Sequence, residues 1–494
     1  MNVAFYFKNK RNIVLDFNGA TVFLHGMIQP FLLDECENVT IKNCIVEYDR
    51  SFVTEAEIIN STPDEMKIKI YEKFPYRVEN GDLIVYGETW KNRDLDKRPM
   101  FFQLFDGKTC EGAGLLRAVV GRNAQIGDKP YDKAAYKLFA EKEDEYVILH
   151  GEKLPVIKAG LRLVIGHSDR KYSSVMILKS KNVLIKNYRI LNGIGMGIVP
   201  MHSKDVVLDE LKMFYDERSH GFSTNVADGV HAVACSGKFI IKNSIIEGTV
   251  DDALNIHGNF YKLVSSDKHT IKALSAGVVS VDYTVFKAGD TVRVYKGSTL
   301  EEYGDYEIAE LIKTGENDVQ MFFNEELPDF IIGSVIENIS ANPEVMINNC
   351  RFGKANTHLR FQSRGKTVVK NCRTSLPFWF TGDMNFWYES GPVCDMVVED
   401  TEFISENAVV CCMPRFTPTK REPYYHKKIS VKCCSFDSET PLTAEYTHTI
   451  EFIGNKNARG KSMKLILENC GECVSDCCEV KRISTDKNLL NDIN

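Results

Sequence analysis

Long apolar runs are missing from this chain: no stretch approaches the ~20 apolar residues that cross a bilayer as a helix. An excess of basic charge is missing too. Lys and Arg number 61 against 68 Asp and Glu, a net charge of −7, so no global positive field draws nucleic acid or an anionic membrane. The N-terminus MNVAFYFKNKRNIVLDF lacks the basic start, apolar run and small-residue cleavage site of a signal peptide, and the chain as given reads as cytoplasmic or as a trimmed form of a secreted protein. The 15 cysteines are an odd number, and no pair has the C-x₂-C…C-x₂-C layout of a zinc site. A disulfide scaffold and structural zinc are therefore not expected. Cys36, Cys44, Cys235, Cys350 and Cys372 sit inside apolar strand patterns and read as small buried groups of a reduced protein. Tryptophan is scarce, at three residues. Helical periodicity is scarce as well. At 44% apolar and 26% charged residues, disorder is excluded as the main state.

What is present is a repeat. One phrase recurs as ENVTIKNCIVEY from Glu37, KNVLIKNYRILN from Lys181 and KDVVLDELKMFY from Lys204. It returns as GKFIIKNSIIEG from Gly237, PEVMINNCRFGK from Pro343 and GKTVVKNCRTSL from Gly365. Weaker copies start at Cys394, Lys427 and Met463. Each reads as a strand, a tight bend at Asn and a second strand. Lys181 to Lys204 is 23 residues, Lys204 to Gly237 is 33, and Pro343 to Gly365 is 22. Such a period without a helical pattern predicts an all-β solenoid, a right-handed parallel β-helix. Inward Val and Ile should stack in ladders, and Asn at the bend should adopt a left-handed conformation and bond its copy in the next coil.

Two gaps interrupt the period, and both hold short alternating runs broken by Gly and Asp, the pattern of small antiparallel β modules. The predicted organisation is first coils at 1–52, an inserted barrel-like module at 53–174, and site-bearing coils at 175–258. A second inserted module follows at 259–342, then C-terminal coils at 343–475 and a polar tail at 476–494. The insertions are expected to wall a site on the solenoid.

The strongest chemical pattern is Asn225-Val-Ala-Asp228-Gly-Val-His231 followed by Asp251-Asp252-Ala-Leu-Asn255-Ile-His257-Gly258. Asp228 and Asp251 are 23 residues apart, about one coil, and are expected to stack, with Asp252 beside them. Crowded carboxylates cannot all ionise easily, so at least one should hold its proton near neutral pH. A protonated acid beside an ionised one is what glycosidic cleavage needs. Around them, His231, Asn225, Asn255 and His257 are candidate sugar contacts; His257 is favoured because Gly258 lets a ligand approach. Arg360, in HLRFQSRGK, is placed to bond sugar hydroxyls or pair with Asp252. Trp387 and Glu389, in NFWYESG, combine a stacking surface with a hydroxyl-binding carboxylate. Trp379 falls in the same coil as Trp387. His202 and His220 read as solvated loop residues, as do the charges of KNRDLDKR. No metal or other cofactor is expected, although clustered carboxylates on a β-helix can hold calcium.

The Asn-x-x-Asp element followed one coil later by Asp-Asp and His-Gly resembles the polygalacturonase-type β-helix hydrolases. The longer phrase DGVHAVACSGKFIIKNSIIEGTVDDALNIHG resembles more closely glycoside hydrolase family 110, the exo-acting α-1,3-galactosidases. NIVLDFNGATVFLHG from Asn12, GIGMGIVP from Gly193 and NFWYESGPVCDMVVEDTEF from Asn385 resemble other coils of that family, while Trp90–Asp94 follows it only loosely. The resemblance implies a metal-independent inverting exo-glycosidase acting on terminal α-1,3-linked galactose. Asp251 would be the general acid, with Asp228 and Asp252 positioning or deprotonating water. The implied partner is a galactose-terminated glycan or oligosaccharide, with neither nucleic acid nor membrane; a homodimer is compatible with the sequence. Two alternatives stand beside it: another β-helix carbohydrate-active enzyme (a polygalacturonase-like hydrolase, lyase or epimerase) and a non-catalytic carbohydrate-binding solenoid.

Overall fold

The computed structural model describes residues 2–91, 100–109, 111–121, 132–167, 172–215, 221–275, 285–297, 300–315, 318–355, 357–382, 387–414 and 424–484. The seventh residue of every repeat phrase has a positive φ, between 46° and 61°: Asn43, Asn187, Glu210, Asn243, Asn349, Asn371, Asp400, Cys433 and Asn469. Asn and Asp tolerate this left-handed bend best, which is why they dominate it. The next residue explains the Cys/Ser preference. Its side chain donates back to the carbonyl two residues earlier, as in Cys350 to Asn348, Cys372 to Lys370, Cys434 to Lys432, Ser244 to Lys242 and Thr401 to Glu399, at 2.7–3.3 Å. A thiol or hydroxyl thus gives a second hydrogen bond to a carbonyl that also accepts from the bend N–H of the neighbouring coil, as Lys370 O does from Asn349 and Lys432 O from Asp400. The bend asparagines also bond between coils, Asn187 to Asn43 at 2.9 Å and Asn349 to Asn243 at 2.8 Å.

These local rules stack the chain into a parallel β-helix. One face runs through strands Arg11–Asp16, Glu37–Tyr48, Lys181–Ile190, Lys204–Met213 and Ser236–Lys242, then on through Glu344–Asn348, Thr367–Lys370, Met396–Glu399, His426–Lys432 and Thr447–Ile453. All pair in parallel with their neighbours. Alternate residues point inward: Val39, Ile41, Val183, Ile185, Val206, Leu208, Phe239 and Ile241 are all buried. Each such side chain contributes roughly 1.5–3 kcal/mol of burial. Aromatic residues continue the ladder, with Phe403 stacked on Phe436 at 4.4 Å.

Two readings of the repeat need correction. The copy from Met463 places its strand, Lys464–Glu468, on the other face, pairing with Leu442–Glu445. The true copy in that coil is Thr447–Ile453, whose bend is made by Gly454 (φ 66°) rather than Asn. Both faces carry the same period-2 alternation, so the phrase alone does not separate them. The stack also extends past 475: Glu479–Ile483 pairs in parallel with Lys464–Glu468, in what the sequence suggests is a polar tail.

Each gap in the period holds a closed barrel. The first rings Val53–Ser61, Glu65–Ile70, Tyr146–His150, Tyr136–Glu143, Gly112–Val120, Met100–Phe105 and Arg162–Gly166. It is antiparallel except for one parallel pair, Gly112–Val120 with Tyr136–Glu143. The second is antiparallel throughout and grows directly out of the helix. Strand Leu254–Ser266 lies in the helix through His257 and in the barrel from Phe260, where Thr270–Ser275, Asp318–Phe323, Glu301–Lys313, Thr291–Lys296 and Val335–Asn338 close the ring.

Candidate functional site

The second face of the helix carries strands Val230–Val233, Leu254–His257, Leu359–Gln362 and Phe378–Phe380 in register, Val230 beside Leu254, Leu359 and Phe378. Val230, Ala232, Leu254, Ile256, Leu359, Phe361, Phe378 and Phe380 point into the core. Alternation therefore turns His231, Asn255, Arg360 and Trp379 outward as one row, with His257 and Gln362 in the next row. The register also corrects the stacking of the acids. The local coil is 24 residues long, so Asp228 stands over Asp252, not Asp251; the bridge between Asn225 and Thr249 keeps the same offset.

A crossing segment completes the site. Strand Glu389–Ser390 pairs antiparallel with Gly258–Asn259 and lays the Glu389 carboxylate over the outward rows. A Cβ on Gly258 would stand 2.6 Å from Ser390 Oγ, so this glycine admits a crossing strand rather than a ligand. Glu389 accepts from Gln362 Nε2 (2.8 Å), Asn255 Nδ2 (3.2 Å) and Arg360 (3.5 Å). The Arg360 guanidinium also lies 2.9 Å from Asp252 Oδ2 and 5.3 Å from the centroid of the Trp379 ring. Asp252 Oδ1 accepts from the Thr357 hydroxyl and the His358 backbone N–H, and the His358 ring packs on Trp379 at 4.0 Å.

On the other flank, Asp228 Oδ2 lies 2.5 Å from His231 Nδ1, His231 Nε2 lies 3.0 Å from His257 Nε2, and His257 Nδ1 lies 2.6 Å from the Gly258 carbonyl. A carbonyl only accepts, so His257 carries a proton on Nδ1. The contact between the two Nε2 atoms needs a second proton and the contact to Asp228 a third. Two neutral histidines and an ionised aspartate supply two. Filling all three contacts with hydrogen bonds takes one proton beyond that state. Burial pushes the His257 pKa down, against the pull of Glu389.

The electrostatics depart from the expected crowd of carboxylates. Burial alone would raise Asp252, but Arg360, His358 and Thr357 outweigh it and hold its pKa well below the ordinary value. Glu389 is likewise raised by burial and lowered more strongly by His257, Arg360, His231 and Gln362, to about 2. Both are standing anions. Histidines and an arginine interleave the acids, so the like-charge crowding that would hold a proton on Asp252 does not arise.

The sequence candidates sort accordingly. Asp228, Asp252, His231, Asn255, His257, Arg360 and Glu389 join one network. Asp251 is half-buried beside it, its carbonyl accepting from Thr249 Oγ1. Trp387 is half-buried two residues before Glu389. Asn225 is not in the network: its amide lies against Met213 Sδ and under Gly193, where a Cβ would strike it. His202 is half-buried rather than solvated, and burial with Lys179 and Lys287 pushes its pKa down to about 4. His220, Asn385 and most of KNRDLDKR lie outside the described residues. Sequence reasoning missed Thr357, His358 and Gln362, although the alternation in HLRFQ marks His358, Arg360 and Gln362 as one face. It noticed Trp379 without placing it on the Arg360 row. The barrels hold the site from two sides. Buried Glu55 of the first barrel accepts from Ser223 N–H (3.0 Å), in the loop leading to Asp228, and is paired with Arg162. Phe260 of the second barrel donates its N–H to Tyr388 O, next to Glu389.

Comparison with known proteins agrees in substance with the motif resemblance. No family model matches the chain. The α-1,3-galactosidase B of Bacteroides thetaiotaomicron is 26% identical over 441 residues, 85% of this chain and 69% of that one. The α-1,3-galactosidase A of Bacteroides fragilis is 25% identical over 485 residues, 93% of this chain and 76% of that one. Among solved structures, the Yersinia enterocolitica family 28 exopolygalacturonase covers 94% of this chain and 74% of its own at 10% identity, with a TM-score of 0.33. So loose a match adds nothing to the strand registers from which the fold is read. By its strand pairing the chain is a β-helix protein, and over most of its length it is similar in sequence to the glycoside hydrolases named α-1,3-galactosidase.

Proposed function

We propose that the protein is an inverting exo-glycosidase that removes terminal α-1,3-linked galactose from glycans or oligosaccharides. The observation that carries this reading is the joining of Asp228, Asp252 and Glu389 through His231, His257 and Arg360 on one outward face. Asp252, an anion whose oxygens are taken up by Arg360, Thr357 and His358, suits the group that positions the water by its charge rather than the one that deprotonates it. Asp228, whose Oδ2 meets His231 while its buried Oδ1 has no hydrogen bond, suits the group that takes a proton from that water through Oδ1. Asp251 is the donor to the leaving oxygen that the resemblance implies, and it stands half-buried beside the network. Trp379, half-buried on the Arg360 row, offers a face for the apolar side of a pyranose.

A lyase or epimerase would need a free basic group, whereas Arg360 is committed to Asp252 and Glu389. The test is hydrolysis of α-1,3-galactobiose and p-nitrophenyl α-galactoside, with the first-formed anomer read by NMR. β-Galactose supports inversion; α-galactose would show retention, and no release from a folded sample would refute the glycosidase reading.

A further inference from the structure

We propose that His25, Asp49 and Glu88 form a binding site for a divalent transition-metal ion of the zinc class, which clasps a loop of the first inserted module, lying between barrel strands Glu65–Ile70 and Met100–Phe105, onto the first two coils. The three residues come from separate segments brought together by the fold. Strand Thr21–Leu24 pairs in parallel with the end of Glu37–Tyr48, Leu24 beside Tyr48. One residue further on, His25 therefore lies beside Asp49. Glu88 arrives from the loop after strand Asp82–Val85.

That loop is docked. Trp90 stacks on Phe52 at 4.8 Å, and the Gly87 N–H closes the turn on the Trp90 carbonyl at 2.9 Å. The loop passes so close to Gly26 that any Cβ there would strike Thr89 Oγ1. Glu88 is thus delivered by packing rather than by a free side chain's wandering.

The donor geometry suits an ion. His25 Nδ1 lies 3.2 Å from Glu88 Oε2 and 3.7 Å from Asp49 Oδ2, and all three donor atoms fall within 4.8 Å of one another. Bonds of 2.0–2.2 Å to a tetrahedral ion set ligand atoms about 3.3 Å apart. The Asp49 side chain is only 9% exposed. Its Oδ1 accepts from Arg50 N–H at 2.8 Å and Gly26 N–H at 3.5 Å, while its buried Oδ2, turned to the imidazole, has no hydrogen bond. A buried carboxylate oxygen left so is costly without a cation. Two carboxylates match the charge of a divalent ion. One imidazole selects zinc-like ions over calcium, which takes six to eight oxygens.

The test uses the full chain stripped with EDTA, dialysed and held at pH 8, where a free imidazole is neutral. Calorimetric titration with ZnCl₂ should give one site per chain in the micromolar range. His25→Ala and Glu88→Gln change exposed side chains (55% and 70% exposed) and should fold normally while weakening that site at least tenfold. Zinc should raise the unfolding temperature of the wild type by several degrees and leave His25→Ala unmoved. Absence of a site tighter than about 100 μM, or equal zinc binding by wild type and both variants, would overturn the proposal. So would a loss of stability in His25→Ala that is the same with and without zinc, which marks a plain ion pair.

Discussion

Replacing Arg360 by Met is the sharpest probe of the site. The guanidinium is buried between Asp252 (2.9 Å) and Glu389 (3.5 Å). Met keeps much of the stem volume and removes the charge. Taking one partner from a buried ion pair costs about 3–5 kcal/mol, because the other charge stays buried without compensation. We predict a loss of that size at pH 7. Its pH dependence separates it from simple misfit. In the wild type both carboxyls have depressed pKa values. Their stabilisation is therefore complete above the unfolded values near 4 and is lost as pH falls through the folded ones, at about 2 for Glu389. In Arg360→Met the same carboxyls lose their cation and burial raises them, so the variant gains stability on acidification from neutral pH toward 4. The two stability curves should converge as pH falls. Urea unfolding followed by tryptophan fluorescence suits the measurement, since Trp379 and Trp387 both lie at the site. A penalty that stays constant from pH 7 to pH 4, or that Asp252→Asn in the Arg360→Met background leaves untouched, would refute the reasoning.

Asp251→Asn is predicted to lower kcat by about 10²–10⁴-fold with an unchanged unfolding transition, as expected for loss of a proton donor; near-normal turnover on p-nitrophenyl α-galactoside would remove Asp251 from that role. Trp379→Ala should raise KM several-fold through lost stacking worth about 0.5–1.5 kcal/mol, with a smaller change in kcat. Gly258→Ala should cost about 1–3 kcal/mol by overpacking against Ser390, and Ser390→Ala in the same chain should recover most of it in thermal unfolding. His202 and His257 both have lowered pKa values, so each contributes stability at pH 7 that is lost as pH falls below about 6.5, where the unfolded state takes up protons first. His202→Gln should flatten the stability curve between pH 6.5 and about 4, as read by urea midpoints.

The helix was legible because its rules are local. A left-handed bend at Asn and a thiol or hydroxyl that caps the preceding strand leave the same short phrase in coil after coil. The site was legible where its residues lie on one strand, as with His231 or with Asn255 and His257. It was hidden where coil length varies: 23 residues from Asp228 reaches Asp251, but the strand register steps 24 and lands on Asp252. The Gly258–Ser390 crossing pairs residues far apart in sequence, and no periodicity announces it. The interleaving of cations was hidden for the same reason, since Arg360 reaches the acids only after an entire barrel has been spliced between their coils.

Because strand Leu254–Ser266 begins as a rung and ends as a barrel stave, the rung that carries Asn255 and His257 and the barrel beside it are one continuous piece of backbone. The barrel cannot hinge like a lid without tearing the ladder that holds His257. Nor can it be exchanged for another module unless the replacement continues that strand in the same register. New specificities are therefore more accessible through loop tips and through the Trp387–Glu389 crossing than through the module as a whole.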